Sequence, residues 1–183
     1  MKKLILTAIL ALSSIAFITA QSANYVDWEW DVLKMGYATP IGSDFASAGI
    51  SFGTELRYNA TDNMSIGLSF EGAGFSSDFG NDTQDIGVSG SSMLVVDRYL
   101  KTDSGTRGFF GLGIGNMSSG TVEVIGGNAG DAFGTSSSFA IAPRAGFELG
   151  HGRLMAQYNH SFKGETTNHL SVTLALTLWG GYK

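Results

Sequence analysis

The sequence lacks cysteine altogether and has little proline and little charge. Without cysteine there is no disulfide framework, no thiolate metal site and no cysteine nucleophile. Charged residues make up 15% of the chain, against roughly 25% in an ordinary soluble domain. The formal net charge is -5, which argues against a nucleic-acid partner because phosphate binding needs a basic face.

Glycine and aromatic residues are what the chain has in abundance. There are 26 glycines among 183 residues, and Phe, Trp and Tyr make up 11%, whereas glycine is roughly 7% of average sequences. Disordered chains are poor in aromatics, so this composition does not indicate disorder. It is typical of a membrane β protein and equally of a glycine-rich soluble sheet, so the residue pattern has to separate the two.

The first twenty residues have the layout of an export signal. A positively charged start and an apolar stretch over residues 4–12 are followed by smaller residues up to Ala20. This order predicts a secretory signal peptide over residues 1–20, cleaved after Ala20, and one barrel domain over residues 21–183. A transmembrane anchor helix is the alternative. The apolar run is at the short limit of the roughly 17–25 residues that such a helix needs, and two serines interrupt it.

Beyond this segment, apolar and polar residues alternate with period two, which predicts strands with one apolar face. Near the end of the chain, Leu170, Val172 and Leu174 alternate with Ser171 and Thr173. The segment around residue 93 leaves its facing open, because four apolar residues run together there. Eight strands are predicted, over residues 30–38, 50–59, 64–73, 93–101, 110–115, 139–149, 154–162 and 170–178.

The links between these strands alternate in length. The tight links cover residues 59–63, 101–106 and 150–152. The longer links cover residues 39–47, 75–87 and 118–135, with an intermediate one over 163–168. Transmembrane barrels have short periplasmic turns and longer extracellular loops in this order, with an even strand number. The sequence therefore predicts an all-β fold, an eight-stranded antiparallel up-and-down transmembrane β-barrel.

A secreted soluble barrel of the lipocalin kind, with its apolar face turned inward, is the main alternative. Its outer face would need many charges, yet the polar face here is mostly Ser, Gly, Ala and Thr, which suit a narrow barrel interior. Aromatic residues also lie near both strand ends, as expected at two membrane interfaces. Those toward the tight turns are Trp28, Trp30, Tyr58, Tyr99, Trp179 and Tyr182, and those toward the longer links are Tyr37, Phe70, Phe75, Phe139 and Phe162.

Two short phrases carry a resemblance to a known family. Residues 29–37 read Glu-Trp-Asp-Val-Leu-Lys-Met-Gly-Tyr, and residues 53–59 read Gly-Thr-Glu-Leu-Arg-Tyr-Asn. Together with the signal and the strand pattern, they resemble the porin-like outer membrane β-barrel family, found especially in Bacteroidetes-type bacteria, with an architecture similar to OmpA and OmpX. The resemblance covers nearly the whole mature chain and implies an outer membrane location. One departure is the C-terminus, where many such chains end on an aromatic residue but Tyr182 here is followed by Lys183.

The polar face carries six charged residues of balanced sign. They are Lys34, Arg57 and Arg144 against Glu55, Glu71 and Glu148. In a low-dielectric interior such charges should pair, because an unpaired buried charge costs several kcal/mol. We expect a salt-bridged network that plugs the barrel, with separate solvation in a wet lumen as the alternative.

No catalytic arrangement stands out. His160 and His169 flank the last longer link, and lipid A deacylases use a His-Ser-Glu set on a barrel of this kind. His160 and Ser161 are adjacent, however, so on a strand they point to opposite faces and do not easily form a base–nucleophile pair. Glu165 and Ser171 are substitutes whose geometry the sequence leaves open.

Three loop features favour simple interpretations. Asp78, Asp82 and Asp85 suggest a weak calcium site, but their spacing is not that of an EF-hand and a solvated acidic loop is favoured. Residues 126–130 are glycine-rich without a following GK[ST], so they predict a flexible loop and no phosphate cradle. His151 is expected to be a solvated turn residue.

These observations predict a non-enzymatic integral outer membrane barrel with a plugged polar interior and a structural or surface-contact role. A narrow channel or a passage for hydrophobic ligands is one alternative, and a lipid-modifying enzyme is another. No cofactor or metal is expected. The expected partners are outer membrane lipid and extracellular ligands bound by the longer links, and the expected state is a monomer.

Overall fold

The computed structural model describes residues 24–42, 49–76, 83–100, 105–125, 128–163 and 167–180. The predicted signal peptide therefore lies outside the described residues. The strands are β1 (Trp28–Pro40), β2 (Gly49–Thr61), β3 (Met64–Ser76), β4 (Thr83–Tyr99), β5 (Thr106–Ile125), β6 (Asn128–Leu149), β7 (Gly152–Ser161) and β8 (His169–Leu178). Among the described residues there is no helix long and apolar enough to cross a membrane.

The eight strands form one closed antiparallel barrel. Each strand pairs with its neighbours in chain order, and β1 pairs with β8 to complete the ring. Closure pairs the backbone groups of the first and last strands, which would otherwise be free sheet edges. All eight predicted strands are present, and the predicted up-and-down barrel is confirmed.

The outward surface of the barrel is apolar and its interior is polar. Side chains alternate between the two sides along the strands, as in β8, where Leu174 is 63% exposed and Thr173 is 2% exposed. The outward direction predicted for the apolar face of β8 is confirmed. A soluble barrel with an apolar interior is thereby excluded for the described wall.

Strand β4 settles the facing of the ambiguous segment. Met93 and Val95 point inward and are buried, whereas Leu94 lies on the outside. With neighbouring inward residues they form a small apolar patch on the interior wall, made of Met93, Val95, Met117, Ala140 and Ala142. An inward apolar patch breaks the polar-inside rule, and for this reason the alternation around residue 93 did not reveal which side faced inward.

The barrel has two distinct ends. At the short-turn end, Asp62 and Asn63 join β2 to β3, Gly150 and His151 join β6 to β7, and the chain enters β1 and leaves β8. Gly150 has a φ of 60°, a conformation that glycine adopts without the steric cost of a side chain. The tight links predicted at these two positions are confirmed. The opposite end is called the loop end below.

Two predicted long links are shorter than expected, because the adjoining strands continue into them. The link predicted over residues 118–135 is occupied by β5 up to Ile125 and by β6 from Asn128. Residues 128–130, expected in a flexible loop, belong to β6, and β4 already begins at Thr83. These stretches lack apolar alternation, yet antiparallel backbone pairing holds them as strands without it.

Aromatic pairs lie on the outward surface at both ends. Near the short-turn end the ring centroids of Trp28 and Tyr58 are 5.1 Å apart. Trp179 packs at 5.7 Å from a second tryptophan, Trp30. At the loop end the rings of Phe139 and Phe162 stack with centroids 5.9 Å apart. The predicted two-ended distribution of these aromatics is confirmed.

Two residues expected in the aromatic belts point inward instead. Tyr99 is buried, and its hydroxyl donates a hydrogen bond of 3.0 Å to Glu148. Phe75 is also buried, and its ring centroid lies 5.4 Å from that of His169. Position along a strand identified the correct end of the barrel but not the side of the wall. Tyr182 lies outside the described residues.

A bulge in β1 brings additional charge into the interior. The register of β1 against both of its neighbours shifts just after Asp31. The extra residue lets Trp30 and Leu33 both face outward, and it turns Glu29, Asp31 and Lys34 all inward. Strict alternation counted back from Leu33 would have placed the two carboxylates on the outside.

Candidate functional site

The charged residues of the interior form the candidate site. All six side chains named from the sequence are buried there, namely Lys34, Glu55, Arg57, Glu71, Arg144 and Glu148. Among the described residues the structure adds five more buried carboxylate and arginine side chains that the sequence reasoning missed, namely Glu29, Asp31, Asp97, Arg107 and Arg153. We call these eleven residues the ion network.

Arg144 is at the centre of the network. Its guanidinium donates to both carboxylate oxygens of Glu55, at 2.7 and 2.8 Å, and to both oxygens of Asp97, at 2.8 and 2.7 Å. Arg153 from β7 donates to Glu55 at 2.9 Å and also bonds Asp97. Planar guanidinium forks match carboxylates in this paired geometry, which makes such hydrogen bonds strong and directional. The four side chains tie β2, β4, β6 and β7 together across the interior.

A second layer lies toward the short-turn end. Arg57 donates to Asp31 at 2.8 Å and to Glu29 at 2.9 Å. Arg107 donates to Glu148 at 2.5 Å and to Glu29 at 3.1 Å. The shared Glu29 connects the two arginines, so that the layer is continuous across the barrel.

The third layer, toward the loop end, has Lys34 as its cation and Glu71 as its carboxylate. The Lys34 ammonium lies 3.5 Å from Glu55 and 3.6 Å from Glu71. Glu71 also accepts hydrogen bonds from Asn159, at 3.1 Å, and from Ser171, at 3.0 Å. Arg57 of the short-turn layer lies 3.5 Å from Glu55, so the network is continuous from that layer to this level.

The signs within the network differ from the sequence prediction. Three cations and three carboxylates were expected, whereas the described interior holds five cations and six carboxylates. Arg107 and Arg153 were missed because each is the second residue of its strand and precedes the predicted start of that strand. Asp97 was missed because it lies in the segment of open facing. The position of Lys34 between the apolar residues Leu33 and Met35 was the local signal in the sequence that correctly marked the inward side of β1.

The three histidines occupy different surroundings. His151 is exposed in its turn, with Nδ1 3.1 Å from the carbonyl oxygen of Thr177. His160 lies on the outward side, 5.1 Å from the Phe162 ring, while Ser161 is buried on the opposite side. The prediction that His160 and Ser161 face opposite sides is confirmed.

His169 and Ser171 are inside the barrel and meet the same carboxylate. His169 Nε2 lies 3.6 Å from Glu71, and the Ser171 hydroxyl donates to that carboxylate. The Ser171 hydroxyl thus donates its hydrogen bond to a carboxylate and not to the imidazole of His169. Both side chains are buried. Glu165 lies outside the described residues.

No group of three or more potential metal ligands occurs among the described residues. Asp78 and Asp82 lie outside the described part of the chain. The sequence predicted Asp85 to lie in a loop, but its backbone belongs to β4.

Comparisons with known proteins agree with the barrel fold. No protein-family model and no curated protein matches the sequence. Neisserial surface protein A matches with a TM-score of 0.58 and 12% identity, over 84% of this chain and 97% of that chain. The attachment invasion locus protein Ail of Yersinia pestis, in complex with the heparin analogue sucrose octasulfate, matches with a TM-score of 0.50 and 16% identity, over 85% and 98%. The predicted likeness to small outer membrane barrels is confirmed as a likeness of fold, and the Bacteroidetes-type origin stays a prediction.

Proposed function

We propose that this chain, with the fold of the eight-stranded outer membrane barrels, is an exported integral outer membrane protein that is cleaved after Ala20. The membrane location is carried by one observation, namely the inverted polarity of the barrel, with apolar side chains outside and ionisable ones inside. Export and cleavage rest on the layout of residues 1–20. Soluble monomers rarely expose a contiguous apolar patch larger than a few hundred Å². A continuous apolar outer surface of this kind is stable where lipid replaces water around the barrel.

The strand lengths support the same proposal. Strands β7 and β8 have ten residues each, and a tilted transmembrane strand needs about 9–11. In hydrocarbon every backbone polar group must be paired within the protein, and a closed antiparallel ladder meets that requirement. The outward aromatic pairs at the two ends correspond to the two lipid–water interfaces.

We also propose that the ion network plugs the barrel. Arg144 and Arg153 reach Glu55 and Asp97 from the other side of the interior. An eight-stranded barrel has room inside for little more than its own side chains. This arrangement supports a closed structural barrel over a narrow channel. The burial of His169 and Ser171 supports a non-enzymatic role, because neither side chain is presented to lipid.

A role in contacts at the cell surface is supported by a part of the barrel that we call the extension. The extension consists of residues 117–125 of β5, residues 128–139 of β6 and the part of β4 that pairs with them. Within the described residues, β7 pairs with β6 only from Ala140 to Leu149. Residues 128–136 of β6 therefore pair with β5 on one side and with no described strand on the other. Such an edge offers backbone donors and acceptors to an extended segment of another protein. This supports a role in contacts at the cell surface.

The membrane part of the proposal is tested by gel mobility of the protein from an outer membrane fraction, heated against unheated. We expect the unheated protein to migrate at a different position, because a closed ladder resists unfolding by detergent until it is boiled. Recovery of the protein in the soluble periplasmic fraction, without a mobility shift, would contradict the proposal.

The surface role is tested by shortening the extension. Replacing residues 122–132 by an Asn-Gly turn, which favours tight hairpins, should leave the heat-dependent mobility shift intact. We expect cells that display the full-length protein to attach to host-cell monolayers, and cells that display the shortened protein to attach less. Equal attachment by both forms, with equal surface display, would rule out the extension as the contact surface.

A further inference from the structure

The chain just before β1 lies across the short-turn mouth of the barrel. Asn24 donates two hydrogen bonds of 3.0 Å to the Asp62 carboxylate, one from its backbone and one from its side chain. Asn59 donates from its backbone to the carbonyl oxygen of Asp27 and from its side chain to that of Val26, both at 2.7 Å. Four hydrogen bonds thus fasten residues 24–27, which we call the strap, to the link between β2 and β3 and the end of β2.

Tyr25 is the part of the strap that reaches inward. Its side chain is only 2% exposed. The Arg107 guanidinium carbon lies 3.9 Å from the centroid of the Tyr25 ring and 3.6 Å from that of Tyr99. The cation is therefore held between two aromatic faces, in the geometry of a cation–π contact on each side.

This sandwich completes the last layer of the ion network. Arg107 is 1% exposed although its strand begins only one residue earlier, at the mouth. Its ion pairs are with Glu29 of β1 and Glu148 of β6. Tyr25 covers the side that would otherwise meet water, so the closure of this mouth depends on a segment outside the barrel wall.

We propose that the strap is a lid that seals the short-turn mouth, with Tyr25 as its stopper and Asp62 as its anchor. The lid adds to the central plug, in which Arg144 is held by Glu55 and Asp97 of the barrel wall. Opening of the strap would expose Arg107 and Tyr99 while the pairing among the eight strands stays intact. The proposal concerns access to the interior from this end and stands independently of any role at the cell surface.

The absence of cysteine makes thiol reactivity a clean test. Ser65 is 1% exposed, and its hydroxyl lies 3.2 Å from the Tyr99 hydroxyl, directly beneath the sandwich. In a Ser65→Cys background, Tyr25→Ala should raise the rate of labelling by a small polar methanethiosulfonate about tenfold, the change expected for loss of one buried cation–π contact. Asp62→Ala should act in the same direction, and Tyr25→Phe should leave labelling slow.

A second thiol separates opening of the strap from general loosening. Ser89→Cys lies inward at the loop end and is expected to label at one rate whether or not Tyr25 is replaced. Equal acceleration at both positions would overturn the proposal, as would unchanged labelling of Ser65→Cys after Tyr25→Ala. The heat-dependent mobility shift of each variant reports separately on the folded barrel, so failure of the strap and failure of the membrane assignment are distinguishable.

Discussion

Replacement of Arg144 by methionine is expected to lower the free energy of unfolding by about 3–5 kcal/mol, the usual cost of removing one partner from a buried ion pair. Methionine keeps much of the side-chain volume but leaves Glu55 and Asp97 with Arg153 as their main remaining cation at the centre. Two carboxylates in a low-dielectric interior then repel each other, and each loses the two hydrogen bonds that it accepts from Arg144. The measurement is urea unfolding of the barrel in lipid vesicles.

The matched control is Arg98→Met, which is the same change of residue type at a position outside the network. Arg98 is exposed on the outward side of β4, and surface substitutions of this kind usually change stability by within about 0.5 kcal/mol. Adding Glu55→Gln to Arg144→Met should recover part of the loss, because one uncompensated carboxylate is removed. Equal stability of the Arg144 and Arg98 variants would contradict the central network. A steady large conductance of the unaltered protein in planar bilayers would contradict the plug itself.

Replacement of Leu174 by arginine is expected to cost about 2–4 kcal/mol of stability in bilayers, as for a cation placed near the midplane on the lipid face of a barrel. Leu174 lies in the middle of β8 and is 63% exposed on the apolar belt. In water the same substitution would be nearly neutral, because an exposed arginine is well solvated. The loss of stability caused by Leu174→Arg therefore shows whether lipid or water surrounds this part of the barrel.

Leu100→Arg is the depth control for this substitution. Leu100 is also highly exposed but follows β4 at the short-turn end, where the cost of arginine falls to about 0–1 kcal/mol near the interface. We expect a clear difference in folding free energy between the two variants in vesicles. A harmless Leu174→Arg substitution would refute the lipid-facing assignment of β8.

The charged interior shows where sequence reasoning reached its limit. Lys34, Glu55 and Arg57 were identified because each lies next to at least one apolar or aromatic residue of a clear alternation, which marks the other side of the wall. Glu29 was missed because a bulge after Asp31 reverses which side of the wall the alternating residues face. The local alternation of apolar and polar residues does not predict a bulge. Arg107 was missed because it precedes the apolar alternation that begins at Phe110.

The links were predicted with uneven success for a related reason. The two-residue turn at Asp62 and Asn63 follows from a break between two clear apolar alternations. The extension above the barrel has no such alternation, because a strand pair that is not packed on an apolar environment is free to use Ser, Gly and Thr on both sides. Its strands exist through backbone pairing between β4, β5 and β6, which residue type does not reveal.

The sequence by itself determined the number of strands, the apolar side of most of them and the two ends of the barrel. These properties depend on period-two alternation and link length, which are local and repeat along the chain. Only the tertiary structure decided which charges meet, which side Tyr99 takes and where residues 24–27 lie. Each of these depends on register and closure, which join residues far apart in the chain, as when Arg153 meets Glu55 across the interior. A one-residue shift in register moves every side chain of a strand to the other face, so the partners of the interior charges are fixed only when the ring closes.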